Sequence, residues 1–228
     1  MKQLTILSTV FLSLSMAFNT LAAQSQELNE INPFKRQPLI QDTLPLGPLD
    51  SLLLISDSIA ADRYNKNKSN MTILAAWAGV NIIQGSISAT NATGSGVYFF
   101  KMNAYWNIAN LGIASWGLIQ LRKELTRKYT YPQNQLAQQK LEKILLLNSG
   151  LDLAYIATGF LLKENGNRLN NLKTTGYGNS LLLQGAFLLV FDLVQYGNHR
   201  RNGKILEGQL SKLQIHASGN GIGLRLPL

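Results

Sequence analysis

Charge is almost absent from four long stretches of this chain, roughly residues 70–100, 102–121, 144–162 and 174–198, and the only charged side chains inside them are Asp152 and Asp192. Each stretch is close to the roughly 20 residues an α-helix needs to cross a hydrocarbon layer. A soluble amphipathic helix would carry charge every turn on its wet face, whereas here the charges are pushed to the ends and connections. The pattern predicts four crossing helices. Ahead of them, Leu52, Leu53, Ile55, Ser56, Ile59 and Ala60 recur at helical spacing after Asp50, which predicts a separate helix lying on the membrane or on the bundle. Asn91 to Gly96 is a tight turn, residues 122–143 are polar and basic with Pro132 breaking a short helix before the next begins at Asn134, and Lys163 to Gly178 is a longer loop. In the tail, Leu213, Ile215 and Ala217 alternate with polar residues, and so do Ile222, Leu224 and Leu226 beyond Ser218 to Gly221, which is a β-hairpin pattern. The expected class is an all-α membrane protein, a four-transmembrane-helix bundle of two tandem helical hairpins with a short C-terminal β-hairpin. Its bundle spans residues 50–200 and its tail 201–228.

The N-terminus adds an address. Residues 1–23 have a basic start, an apolar run from Leu4 to Phe18 and small residues before Gln24, as a cleaved bacterial-type secretory signal does. Residues 24–49 hold four of the six prolines and are expected to form an extended tether. This places the chain in a bacterial plasma membrane as a multi-pass protein with an exported N-terminus. The charges pull the other way: sixteen Lys and Arg would then lie outside against Lys101, Lys163, Arg168 and Lys173 inside, which inverts the positive-inside rule.

Composition removes several chemistries. With no cysteine and only His199 and His216, thiolate, iron–sulfur and histidine metal centres are not expected, and no cofactor, metal or catalytic group is assigned. The net charge of +9 suits anionic lipid headgroups, since an exported multi-span chain does not meet nucleic acid. The expected partners are the lipid bilayer and a second copy or another membrane protein.

Shifting the chain by 71 residues lays Gly79 and Asn81 on Gly150 and Asp152, and shifting it by 82 lays Ala104 and Asn110 on Ala186 and Asp192. The stretches thus read as a duplicated hairpin, with an 11-residue longer loop in the second copy. Each carries one Asn or Asp near its middle: Asn81, Asn110, Asp152 and Asp192. A polar group in hydrocarbon is costly, so the four are expected to turn inward as one polar layer, lined by Gln84, Asn107, Asn148, Tyr155, Gln184 and Tyr196. The plain account makes them hydrogen-bonding glue between helices, and the sharper one lets Asp152 and Asp192 carry protons or a cation. An intramembrane aspartyl protease would also use two aspartates, but Gly150-Leu151-Asp152 lacks the Gly-x-Gly-Asp of those enzymes.

Trp77-x-x-x-Asn81, Trp106-Asn107-x-x-Asn110, Asn148-x-Gly150-Leu151-Asp152, Gln184-Gly185-x-Phe187 through Asp192 and Asn220-Gly221-Ile222-Gly223-Leu224-Arg225 together resemble a bacterial membrane-protein family catalogued as a domain of unknown function. The resemblance implies no activity, ligand or site. The expected function is a non-enzymatic scaffold or partner-binding component, with a proton- or cation-coupled transport component using Asp152 and Asp192 as the alternative.

Overall fold

The computed structural model describes residues 48–124, 129–212, 214–218 and 221–225. The expected signal and nearly all of the expected tether lie outside the described residues. Four helices follow in chain order: α1 (Pro48–Asn91), α2 (Ser95–Glu124), α3 (Tyr131–Arg168) and α4 (Leu172–Lys212). They run up and down as two antiparallel hairpins, α1 with α2 and α3 with α4, and α2 against α4 is the main contact between the pairs.

Several expectations need correction. Residues 50–64 form no separate helix, because no proline or glycine interrupts the chain between Pro48 and the apolar stretch, and α1 runs through as 44 residues, ~66 Å. Pro132 starts a helix and breaks none: it lies in the first turn of α3, where its missing N–H goes unneeded, and Gln133 Oε1 accepts from the Thr130 N–H at 3.1 Å. The loop expected at 163–178 is mostly helix. α3 continues to Arg168, and α4 begins at Leu172, where Asn171 Oδ1 accepts from the N–H groups of Lys173 and Thr174, both at 3.1 Å. Both hairpin turns are therefore three residues, and the 11 residues by which Asp152–Asp192 exceeds Asn81–Asn110 are taken up as helix on either side of the second turn. Each turn reverses through a left-handed residue, Gly94 at φ 60° and Asn170 at φ 51°.

The four-span class is also overturned. α1, α3 and α4 are long and apolar enough to cross a membrane, and α2 is not among them. Asn103, Asn107 and Asn110 lower the apolarity of its central stretch. In the tail, β1 (Gln214–Ser218) and β2 (Gly221–Arg225) pair antiparallel with Ile215 opposite Leu224. The residues between them and their side chains lie outside the description, so the expected hairpin does not stand as a layer of the fold. The class is corrected to a helical one: four helices, three of them membrane-capable.

The α3–α4 pair has a repeat of seven. Buried Tyr131, Gln138, Leu145, Asp152, Gly159 and Gly166 fall every seventh residue on α3, and Gly178, Gly185, Asp192, His199 and Leu206 do so on α4. A strict seven-residue repeat keeps one seam against the partner and imposes a left-handed supercoil. The rungs are visible as contacts. The Tyr131 hydroxyl donates to the Leu206 carbonyl, and Gln138 Nε2 donates to the His199 carbonyl at 2.6 Å. Where glycines meet, the backbones touch: a Cβ on Gly178 would lie 2.7 Å from the Gly159 carbonyl oxygen. Close approach of this kind is how small residues lock helices in an apolar surrounding.

Candidate functional site

Along the apolar stretches, polar side chains are buried while large apolar ones face outward. Asn103, Asn107 and Gln184 are at most 1% exposed, while Ile83, Trp116 and Leu161 are 63% exposed or more. The buried amides solve their hydrogen-bonding problem with one another. On α2, Asn103 Nδ2 donates to Asn81 Oδ1 on α1 at 2.7 Å, and Asn103 Oδ1 accepts from Gln184 Nε2 on α4. Gln184 Oε1 accepts from Trp77 Nε1 at 3.1 Å, and Asn81 Nδ2 returns to the Trp77 carbonyl at 2.8 Å. Trp77, Asn81, Asn103 and Gln184 thus close a ring through three helices. Asn107 Nδ2 extends it to the Asn103 carbonyl at 2.8 Å, and Asn110 Nδ2 reaches Asn107 Oδ1 at 3.3 Å. The Trp77 ring also stacks on Phe187 with centroids 3.5 Å apart.

Asp152 on α3 and Asp192 on α4 face each other across the seam, close enough to interact, with Asn148 beside Asp192. Asp152 Oδ2 is buried with no partner.

The four expected residues are all buried, and they spread along the bundle axis. Asn81 lies at the level of Asn103, and Asn110 is seven residues further along α2, roughly 10 Å along its axis. The two aspartates face each other, while the bonds of Asn81 run to Asn103 and Trp77. Of the expected lining, Gln184 and Asn107 belong to the amide ring and its extension, and Asn148 to the aspartate pair. Tyr155 sets its ring edge-on to Trp106 at 4.9 Å, Gln84 Nε2 bonds Ser88 on its own helix at 3.3 Å, and Tyr196 is half-buried.

A second polar cluster, outside the four expected positions, occupies the end of the bundle where α1, α3 and α4 continue beyond the apolar stretches. Buried Arg63 donates to the side chain and carbonyl of buried Asn134, and Asn134 Nδ2 donates to the Ser56 carbonyl at 2.7 Å. Buried Glu142 pairs with Arg200 at 3.2 Å, and Lys66 bridges Asp62 at 2.6 Å and Asn202 Oδ1 at 3.2 Å. His199 has no exposure, and neither ring nitrogen has a partner. The seven-residue repeat that carries His199 and Gln138 was the signal for this cluster. Among the described residues no three His, Cys, Asp or Glu side chains gather as metal ligands.

Paired helical hairpins closed by a buried amide ring define the class: a helical bundle with apolar outer faces and a polar seam. The chain belongs to a family of unknown function (DUF6992), whose model matches residues 73–193. That segment contains the whole amide ring and both aspartates and leaves out Arg63, His199 and Arg200. No curated protein and no solved structure matches the chain.

Proposed function

We propose that the chain is an integral protein of a bacterial plasma membrane with an exported N-terminus, and that it acts without catalysis as a scaffold for a partner protein. The observation that carries this reading is the inverted burial: exposed Ile83, Trp116 and Leu161 against buried Asn103, Asn107 and Gln184. Exposed aliphatic faces on long helices suit lipid, and amides that bond one another satisfy the interior without water. Asn103 and Gln184 each spend their amide oxygen and an amide N–H on protein partners within the ring. The polar ends of α1, α3 and α4 (48–69, 131–143 and 199–212) project ~20 to 33 Å past the apolar stretches and offer a rigid platform. Extraction tests the membrane reading. The protein should stay in the membrane pellet through high salt and alkaline carbonate, and release without detergent overturns it.

A proton- or cation-coupled transport role is the second reading, favoured by the unpartnered Asp152 Oδ2 beside Asp192. In reconstituted vesicles, Asp152→Asn with Asp192→Asn separates the two. Lost ion flux at unchanged stability supports transport, whereas unchanged flux supports the scaffold.

A further inference from the structure

On the outer side of α3, Leu136, Gln139, Lys140, Lys143, Ile144 and Leu147 wall a shallow open groove of about 390 Å³. Leu136, Ile144 and Leu147 are 65%, 44% and 64% exposed. The groove straddles the point where α3 changes from its polar first part to the apolar stretch that starts at Ile144.

The other helices turn basic at the same level. Lys66 and Lys68 precede the apolar stretch of α1, Arg122 and Lys123 follow that of α2, and Arg200 and Arg201 follow that of α4. Contacts between helices fix that level: Lys66 Nζ donates to the Asn198 carbonyl at 3.1 Å, Arg200 reaches Glu142 at 3.2 Å, and Gly117 lies against Met71. Among the described residues no carboxylate pairs with Lys140 or Lys143, so two exposed cations flank an apolar trough where a lipid headgroup would lie.

We propose that this face of α3 binds an anionic phospholipid, with an acyl chain along Ile144 and Leu147 and the phosphate between Lys140 and Lys143. The proposal rests on the membrane reading above. A second copy docked by two-fold symmetry would set the lysines of one chain near those of the other, which repels, whereas a phosphate is attracted to both. A basic side chain near an anionic surface contributes about 1 kcal/mol, about a fivefold preference.

The test is native mass spectrometry of the full chain in detergent, titrated with phosphatidylglycerol or phosphatidylcholine. The first phosphatidylglycerol should bind more tightly. Lys140→Gln with Lys143→Gln should weaken it by about fivefold per lysine and leave phosphatidylcholine unchanged. Lys101→Gln with Lys173→Gln, which removes the same charge toward the opposite end, should change neither. Equal affinity for the two lipids, no effect of the Lys140 and Lys143 exchange, or an equal loss in the control pair overturns the site. A dimer strengthened by the exchange gives the face to a second copy and also overturns it. A chain that carbonate strips from the membrane sinks the membrane reading and the site together, whereas an inserted chain without lipid preference sinks the site alone.

Discussion

Asn103 donates to Asn81 at 2.7 Å across the α1–α2 interface, and the same side chain accepts from Gln184 of α4. Its removal leaves two buried amides short of a partner on two other helices. Asn103→Ala should therefore lower stability in mixed micelles by about 1–3 kcal/mol. Asn107→Ala, whose amide bonds only within α2, should cost on the order of 0.6 kcal/mol. Equilibrium unfolding compares them, and equal losses would mean that the ring does not tie the hairpins together.

The glycines of the bundle divide by what surrounds them. An added Cβ at Gly178 meets backbone atoms of Gly159 and Lys163 on α3, which cannot swing aside as a side-chain tip can. Gly178→Ala should push α3 and α4 apart and cost about 1–3 kcal/mol. Gly150 has nothing within 4 Å, so Gly150→Ala should stabilise α3 by up to about 1 kcal/mol through helix propensity. Thermal unfolding of the two variants should move in opposite directions.

Much of the helical fold was legible because apolar runs and their charged ends are local signals. Asp152 and Asp192 stood out as the only charges in their stretches, and both are buried on the α3–α4 seam. Asn103 was missed for a specific reason: the duplication picks positions that are polar in both copies, and the counterpart of Asn103 is Gly185. The join between residues 50–64 and the apolar stretch was hidden because polarity changes along α1 while its backbone does not, and nothing between them stops a helix. The crossing count failed at α2 because its asparagines lower its apolarity and at the same time fill its buried face.

The end cluster makes its own prediction. Arg63 is buried, and Asn134 supplies both its side-chain and its carbonyl oxygen to the guanidinium while its own amide holds Ser56. Asn134→Leu keeps the bulk and removes every side-chain bond, leaving a buried cation short of an acceptor. A loss of about 3 kcal/mol is expected, at the upper end for an unsatisfied group because a charge is involved. Arg63→Met in the same background should recover part of it, since the charge then goes as well. Chemical unfolding of the single and double variants measures both steps, and a double variant no more stable than Asn134→Leu would show that the charge is not the source of the loss.

The aspartate pair should behave as one unit. Asp152 and Asp192 face each other across the α3–α4 seam, and an amide in place of one carboxyl offers the other a hydrogen-bond donor. Asp152→Asn should therefore change stability by less than about 1 kcal/mol. Asp192→Leu removes the partner of both Asp152 and Asn148 and should cost about 1–3 kcal/mol. Adding Asp152→Leu to that background should cost little more, because replacing both members of a buried pair by apolar groups leaves no orphaned carboxyl behind. The double-mutant cycle built from Asp152→Leu, Asp192→Leu and their combination should then show a coupling of about 0.5–3 kcal/mol, the range for residues in direct contact. Strictly additive losses would mean that the two carboxyls do not interact, and with that the transport reading would lose its site.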